Sequence, residues 1–485
     1  MNWILLAEIL YIVFVLLVCL RVIYDTQSIT KTLAYLMLVV FVPFLGIIFY
    51  FSFGINYRKR KIYSKKIFDN VELERSIEVR IRENWDTILT HRSAIVKNYG
   101  KLANLVLNQS LSPVTENNDV ELLLNGEIKF PQVMEALKNA KDHIHLEYYI
   151  FEADVIGRKI IDLLIEKAKE GIEVRVIYDD FGSRSIRKRE VARLKSAGVE
   201  TFPFYEIKLI AFANRLNYRN HRKIIVVDGR VGFVGGINIS DKYINHADGK
   251  NPLFWRDTHL KIEGPAVKTL QYIFLGDWNY CSGESLRPNR RFFPEPEKFT
   301  SKSNKIVQIV ASGPDSDTPL IMQSLFQAIN LAKEEILITT PYFIPGESLK
   351  DCLLVAASSG VKVKLLLPGI SDSRLVNLAA RSYFKKLLNA GADIYCYQKG
   401  FVHAKTMVVD KQLAIVGTAN MDIRSFDLNF EVNALVYDWE IAQKLTRTFY
   451  EDTAHAVKID VKEWNNRSIG IQLLEKIAGL LSPML

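Results

Sequence analysis

The chain has 485 residues, too many for one compact domain at a typical ~150 residues each. Its 49% hydrophobic and 24% charged residues exclude a disordered or fibrous chain, and four cysteines (Cys19, Cys281, Cys352, Cys396) without paired spacing exclude a disulfide framework or a Cys-rich zinc site. An excess of 63 Lys and Arg over 54 Asp and Glu leaves a net charge of +9, which favours an anionic partner, either nucleic acid or a membrane surface.

Two apolar runs open the chain. Residues 3–20 carry one charge, Glu8, and residues 33–53 carry none. About 20 apolar residues at 1.5 Å rise cover the ~30 Å hydrocarbon core, so residues 1–57 are expected to form a two-helix transmembrane hairpin. A cleaved signal peptide is the alternative for the first run. No Lys or Arg precedes that run, and no small-residue cleavage site intervenes before the second, which favours the hairpin. Pro43 and Gly46 are tolerable kinks in a membrane helix. Residues 58–66 hold six basic residues in nine, whereas the loop between the runs offers Arg21 and Lys31 against Asp25. The positive-inside bias therefore places residue 58 onward in the cytoplasm, and the basic cluster also suits anionic headgroups. Residues 58–117 are expected to be a basic, mostly helical linker.

From about residue 118 strand and helix patterns alternate, the mark of α/β layering. Residues 143–151 read as a strand, 154–170 as a helix, 174–178 as a strand and 185–197 as a helix ending at Gly198. The apolar and basic stretch 202–215 either dips into a lipid surface or forms a buried strand and turn. Residues 287–304, with Pro288, Pro294, Pro296, Arg287, Arg290 and Arg291, read as a linker. The alternation then restarts: strand 335–340, helix 347–359, strand 361–367 and a helix to Gly391. Gly171 and Gly360 lie 189 residues apart, and Gly198 and Gly391 lie 193 apart. This matched order argues for two duplicated lobes, 118–286 and 305–464, with a site between them. In the tail, 465–485, the residues Ile469, Leu473, Ile477, Leu480 and Leu481 share one helical face. That face suits an interfacial helix or one packed on the core, and the sequence leaves both open.

One constellation occurs twice. His221, Lys223, Asp228 and Asn238 recur as His403, Lys405, Asp410 and Asn420, with Lys two, Asp seven and Asn seventeen residues after His in both halves. The even spacing puts His and Lys on one strand face, while Asp points to the other near a tight turn. An apolar return strand then brings Asn back beside His. Two imidazoles can divide the work of nucleophile and general acid and base. Two lysines and two carboxamides can hold phosphodiester oxygens as charge develops. The set needs no metal and no cofactor.

These residues resemble the phospholipase D superfamily, marked by a duplicated His-x-Lys-x4-Asp followed by Gly and Asn. The N-terminal hairpin, the run Asn220 to Lys223 and the run Asn420 to Glu431 are similar to those of bacterial cardiolipin synthases. The resemblance implies an α/β fold of duplicated α/β/α lobes, with the two histidines facing each other. It implies condensation of two phosphatidylglycerols into cardiolipin and glycerol, at a bacterial cell membrane. By the same resemblance His221 is the nucleophile and His403 the general acid and then base. Lys223, Lys405, Asn238 and Asn420 hold the phosphate, Asp228 and Asp410 brace the hairpins, and Asp257 and Glu431 are the supporting acids. Which acid serves which histidine is open, as are oligomeric state, acyl preference and acceptor specificity. The remaining histidines (His91, His143, His145, His246, His259, His455) lack the spacing and read as structural. The rival functions are a hydrolase or phosphatidylserine synthase of the same superfamily, which share the intermediate, and a nuclease. Two membrane spans and the absence of an aromatic-studded groove argue against a nucleic-acid partner.

Overall fold

A computed structural model of the chain describes residues 3–26, 29–51, 94–110, 112–206, 218–245, 253–294 and 303–482. Helix α1 (Trp3–Asp25) is, among the described residues, the one helix long and apolar enough to cross a bilayer. The second apolar run differs from the expected single span. It forms α2 (Ile29–Phe41) and α3 (Pro43–Phe49), separated at Val42. Pro43 has no N–H for the helical ladder and disfavours helical geometry in the residue before it, so Val42 adopts φ −134° and ψ 66°. Gly46 lets the two pieces close together, because a Cβ there would lie 2.4 Å from the Leu38 carbonyl oxygen. Helix α1 packs on both pieces through Val18, Val22, Val39 and Tyr50. The apolar runs thus lie side by side, but the second is a broken pair of helices. The basic cluster 58–66 and residues 207–215 of the apolar stretch lie outside the described residues.

The rest of the protein is built on one sheet. In chain order its path strands are β1 (Thr115–Leu124), β2 (His143–Tyr148), β3 (Glu173–Asp179), β4 (Glu200–Phe204), β5 (Lys223–Val227), β6 (Val231–Gly235), β7 (Thr258–Glu263) and β8 (Lys305–Ser312), then β9 (Glu335–Thr339), β10 (Lys362–Pro368), β11 (Asp393–Tyr397), β12 (Thr406–Val409), β13 (Leu413–Gly417), β14 (Asn429–Tyr437) and β15 (Ala456–Lys458). Their spatial order is β15-β11-β10-β9-β12-β13-β14-β8-β1-β7-β6-β5-β2-β3-β4. The antiparallel pair β1 and β8, with Thr115 opposite Val307, joins two half-sheets of matching order. Each half contains three parallel strands and an antiparallel hairpin, β5–β6 or β12–β13.

Strand periodicity divides the core. Ile225 and Val227 of β5 pack with Leu146 and Ile160 in the first half, while Ile224 and Val226 face the other way. There they meet Leu337, Val408, Val416 and Val432 of the second half. Each such fully buried aliphatic side chain contributes about 1.5–3 kcal/mol, so the two halves share a core that holds them together. Both segments expected to be linkers contribute packed residues where they are described. Leu102 and Val106 of helix Gly100–Ser110 join the second-half core, and Gln308 Nε2 donates to the carbonyls of Ala103 (3.1 Å) and Ser112 (2.9 Å). Arg291 pairs with Asp142 and Glu173, and Phe292 is buried against His143 and His145. The terminal helix Ile469–Leu480 docks through Ala478 against Ala379 and Ile344. Its apolar stripe faces away from that contact, with Ile469 83% and Leu480 78% exposed.

Candidate active site

The two halves exchange backbone before they exchange side chains. Arg219–Asn220 pairs in parallel with Asn429–Phe430, and the His221 N–H donates to the Phe430 carbonyl at 2.9 Å. In the mirrored position Gly400–Val402 pairs with Phe254–Arg256, and the His403 N–H donates to the Arg256 carbonyl at 2.7 Å. In both cases the next residue along the receiving strand is an acid. His221 Nδ1 lies 2.9 Å from both carboxylate oxygens of Glu431, and His403 Nδ1 lies 2.7 Å from Asp257 Oδ2. Each imidazole is therefore oriented by a carboxylate from the opposite half, a pairing the sequence left open. A carboxylate accepts the Nδ1 proton and leaves the Nε2 lone pair free, which is the tautomer a nucleophile or base needs.

Local backbone chemistry makes room for these acids. A Cβ on Gly236 would lie 2.1 Å from Asp257 Oδ1, so glycine is what lets that carboxylate approach. The matching position of the second half holds Thr418, whose hydroxyl donates to Glu431 Oε2 at 2.5 Å. Asn429 Nδ2 adds a further donor to Glu431 at 3.2 Å.

Asp228 and Asp410 play matching parts away from the imidazoles. The Asp228 carboxylate accepts from the backbone N–H groups of Lys141, Asp142 and His143 at 2.8–3.0 Å. Asp410 accepts from Lys333, Glu334 and Glu335 at 2.8–2.9 Å. Both sit in the left-handed region, at φ +53° and +51°, where their hairpins turn. The carboxamides are less alike. Asn238 Nδ2 donates to the Tyr243 hydroxyl at 2.6 Å and its oxygen accepts from the Ile150 N–H at 3.2 Å, whereas Asn420 Oδ1 is buried with no hydrogen-bond partner among the described residues.

Lys223 and Lys405 are buried, and each ammonium donates to the carbonyl oxygen of its own histidine, Lys223 at 2.7 Å. Burial lowers the Lys223 pKa to about 7 and the Lys405 pKa to about 8, against the pull of Glu431 on Lys223 and of Asp257 on Lys405. Burial also lowers His221 to about 4, with Lys223 and Lys405 adding to the effect and Glu431 opposing it. His403 falls to about 3, by burial first and then by Lys405. Burial alone would raise Glu431 and Asp257, but His221 beside the one and Lys405 with His403 beside the other leave both below the usual carboxylate range. Lys405 acts on His221 and Lys223 acts on His403, so the two halves form one electrostatic unit.

Aromatic rings wall the two imidazoles. Tyr149 meets His221 edge-on at 4.9 Å, while Tyr243, Trp255 and Phe401 stand 5.5–5.8 Å from His403. Sequence reasoning missed Thr418 and these rings, although Thr418, Trp255 and Phe401 lie within two residues of motif or supporting positions. Among the other histidines, His143, His145 and His259 are buried in the first half, and His91 and His246 lie outside the described residues.

The family model described as cardiolipin synthase, phospholipase D-like domain, matches residues 133–278 and 325–453, and one described as phospholipase D-nuclease N-terminal matches residues 9–54. The major cardiolipin synthase ClsA of Bacillus subtilis is 41% identical over 487 residues, covering 99% of each chain. A cardiolipin synthase of Halalkalibacterium halodurans is 43% identical over 462 residues, 94% of this chain and 89% of that protein. The crystal structure of Haemophilus influenzae phosphatidylserine synthase shares the fold, with a TM-score of 0.58 at 15% identity, over 79% of this chain and 100% of that one. With duplicated motifs facing one another across the halves and near full-length similarity of this kind, the chain belongs to the cardiolipin synthase family of the phospholipase D superfamily.

Proposed function

We propose that the protein is a phosphatidyltransferase that joins two phosphatidylglycerols into cardiolipin and glycerol. The observation that carries the reading is the crossed pairing of His221 with Glu431 and His403 with Asp257. His221 Nε2 attacks the phosphorus of the donor lipid. A P–N bond forms, the P–O bond to glycerol breaks, and His403 gives the departing oxygen its proton. Burial keeps both imidazoles neutral at neutral pH until an anion arrives. The negative phosphate supplies the charge that favours an imidazolium at His403. The headgroup hydroxyl of the second lipid then loses its proton to His403 and attacks phosphorus. The P–N bond breaks and cardiolipin leaves with His221 restored. Lys223 and Lys405 hold the non-bridging oxygens, with Asn420 and the second N–H of Asn238 as further donors, and so stabilise the charge of each transition state. Asp228 and Asp410 brace the hairpins and do not touch lipid.

The membrane reading rests on α1 and on the outward apolar stripe of Ile469–Leu480, which supports an interfacial helix. In this reading residues 1–57 anchor a multi-pass chain in the bacterial plasma membrane, with the transferase in the cytoplasm beside anionic headgroups. The test is purified protein in detergent micelles with phosphatidylglycerol alone. Cardiolipin and glycerol in equal amounts are expected; phosphatidic acid with glycerol would make the protein a hydrolase instead. His221→Ala should lower the rate below about a thousandth and abolish lipid-labelled protein.

A further inference from the structure

We propose that Arg184, Arg219 and Arg424 form a second phosphodiester site, beside the transfer site, that holds the phosphate of the acceptor lipid. The inference rests on the reading above, in which the acceptor is an intact phospholipid and so brings a phosphate of its own. Arg219 stands two residues before His221 and is only 6% exposed, and its backbone is held by the parallel pairing with Asn429. The guanidinium carbons of Arg219 and Arg184 both lie 4.3 Å from the centroid of the Phe181 ring. Arg424 comes from the other half, on the short helix Ile423–Asp427, and acts electrostatically on both Arg219 and Tyr149. Tyr149 is the wall shared with the chemistry: its ring is 4.9 Å from that of His221 and 5.6 Å from Lys223 Nζ.

These guanidinium groups lack the partners that absorb their neighbours. Arg222 pairs with Asp277 and Arg187 with Asp180. Among the described residues Arg184, Arg219 and Arg424 form no salt bridge, and the side-chain hydrogen bond of Arg219 is a long one, 3.4 Å to the Tyr218 carbonyl. The near carboxylate, Asp179, spends its oxygens on the N–H groups of Phe181, Gly182 and Asn220. Burial, together with Arg424 and Arg184, lowers the Arg219 pKa against the pull of Asp179 and Tyr149. Three positive forks, whose nearest carboxylate, Asp179, is already engaged by three backbone N–H groups, are relieved by an anion, and guanidinium matches a phosphate's paired oxygens better than ammonium does. The donor phosphate is already held by Lys223, Lys405 and the two imidazoles. The second phosphate of the reaction belongs to the acceptor, whose headgroup hydroxyl reaches the phosphorus on His221 from the His403 side.

Two acceptors separate this site from the rest of the machinery. Glycerol carries no phosphate, yet its hydroxyl can take the phosphatidyl group from His221 in the same way, breaking P–N, forming P–O and passing a proton to His403. Labelled glycerol exchange into phosphatidylglycerol and cardiolipin formation are measured in the same micelles, for Arg184→Gln, Arg424→Gln and Arg219→Lys. Each variant should lower cardiolipin formation about tenfold or more through a raised requirement for acceptor, while exchange changes less than about threefold. Equal loss of both activities would assign the arginines to the donor, the micelle surface or the fold and overturn the proposal, as would no loss of either. Failure of the unsubstituted protein to exchange glycerol would instead remove the covalent intermediate of the proposed function.

Discussion

His221 and Glu431 are 210 residues apart and His403 and Asp257 are 146 apart, yet each imidazole nitrogen sits within 3 Å of its acid. The two pairs differ in how firmly the acid is held. Glu431 takes hydrogen bonds from Thr418 and Asn429 as well as from His221, whereas Asp257 takes one from the Thr258 N–H. Removing the charge of either acid allows the wrong tautomer and should cost about 10²–10⁴-fold in transfer. A donor with a nitrophenolate leaving group, which departs without a proton, distinguishes the two roles. Asp257→Asn and His403→Ala should regain rapid nitrophenolate release with this donor, and Glu431→Gln and His221→Ala should not. Rescue of the Glu431 variant instead would exchange the roles of the two histidines. The duplicated motif made both histidines legible in the sequence, because a strand and hairpin set the spacing locally. Their acids were legible as residues but not as partners, since no local spacing spans two halves.

At the level of elements, the motif aspartates act as clamps. Asp228 fastens the β5–β6 turn to the start of β2, and Asp410 fastens the β12–β13 turn to the start of β9, through three backbone N–H groups in each case. Asp228→Ala or Asp410→Ala should therefore lower unfolding stability by about 2–4 kcal/mol, measured by denaturant titration. The folded fraction should keep its apparent KM; a large change in KM with unaltered stability would place these carboxylates at the substrate. Strand alternation and the turn sequence Asp228-Gly229 make the first hairpin legible along the chain. The second apolar run was harder to read. Its hydropathy adds up to one span, and only the backbone consequence of Pro43, with Gly46 admitting Leu38, divides it into α2 and α3. Periodicity likewise showed an apolar stripe on Ile469–Leu480 but could not say which side docks. Ala478 and the neighbouring Gly479 decide that, since small residues allow close approach to Ser382 and Ala379.

For the whole molecule, the continuous sheet and the shared core mean that the two histidines of a site come from one chain. Mixing separately purified His221→Ala and His403→Ala proteins should accordingly restore no more than a few per cent of cardiolipin formation. Substantial recovery would show that the site assembles between chains. Length, the paired motifs and the order of strands and helices, all readable along the chain, were enough to determine the duplicated α/β architecture and the chemical set at its centre. Side-chain identity and short-range spacing carry that information. The crossed acids, the packing of residues 94–110 and of Phe292 into the core, and the meeting of Arg184 and Arg219 on the Phe181 ring were decided only by tertiary structure. Each joins residues far apart in the chain, and for the crossed acids it is the pairing of β1 with β8 and the burial of apolar faces between the halves that bring them together.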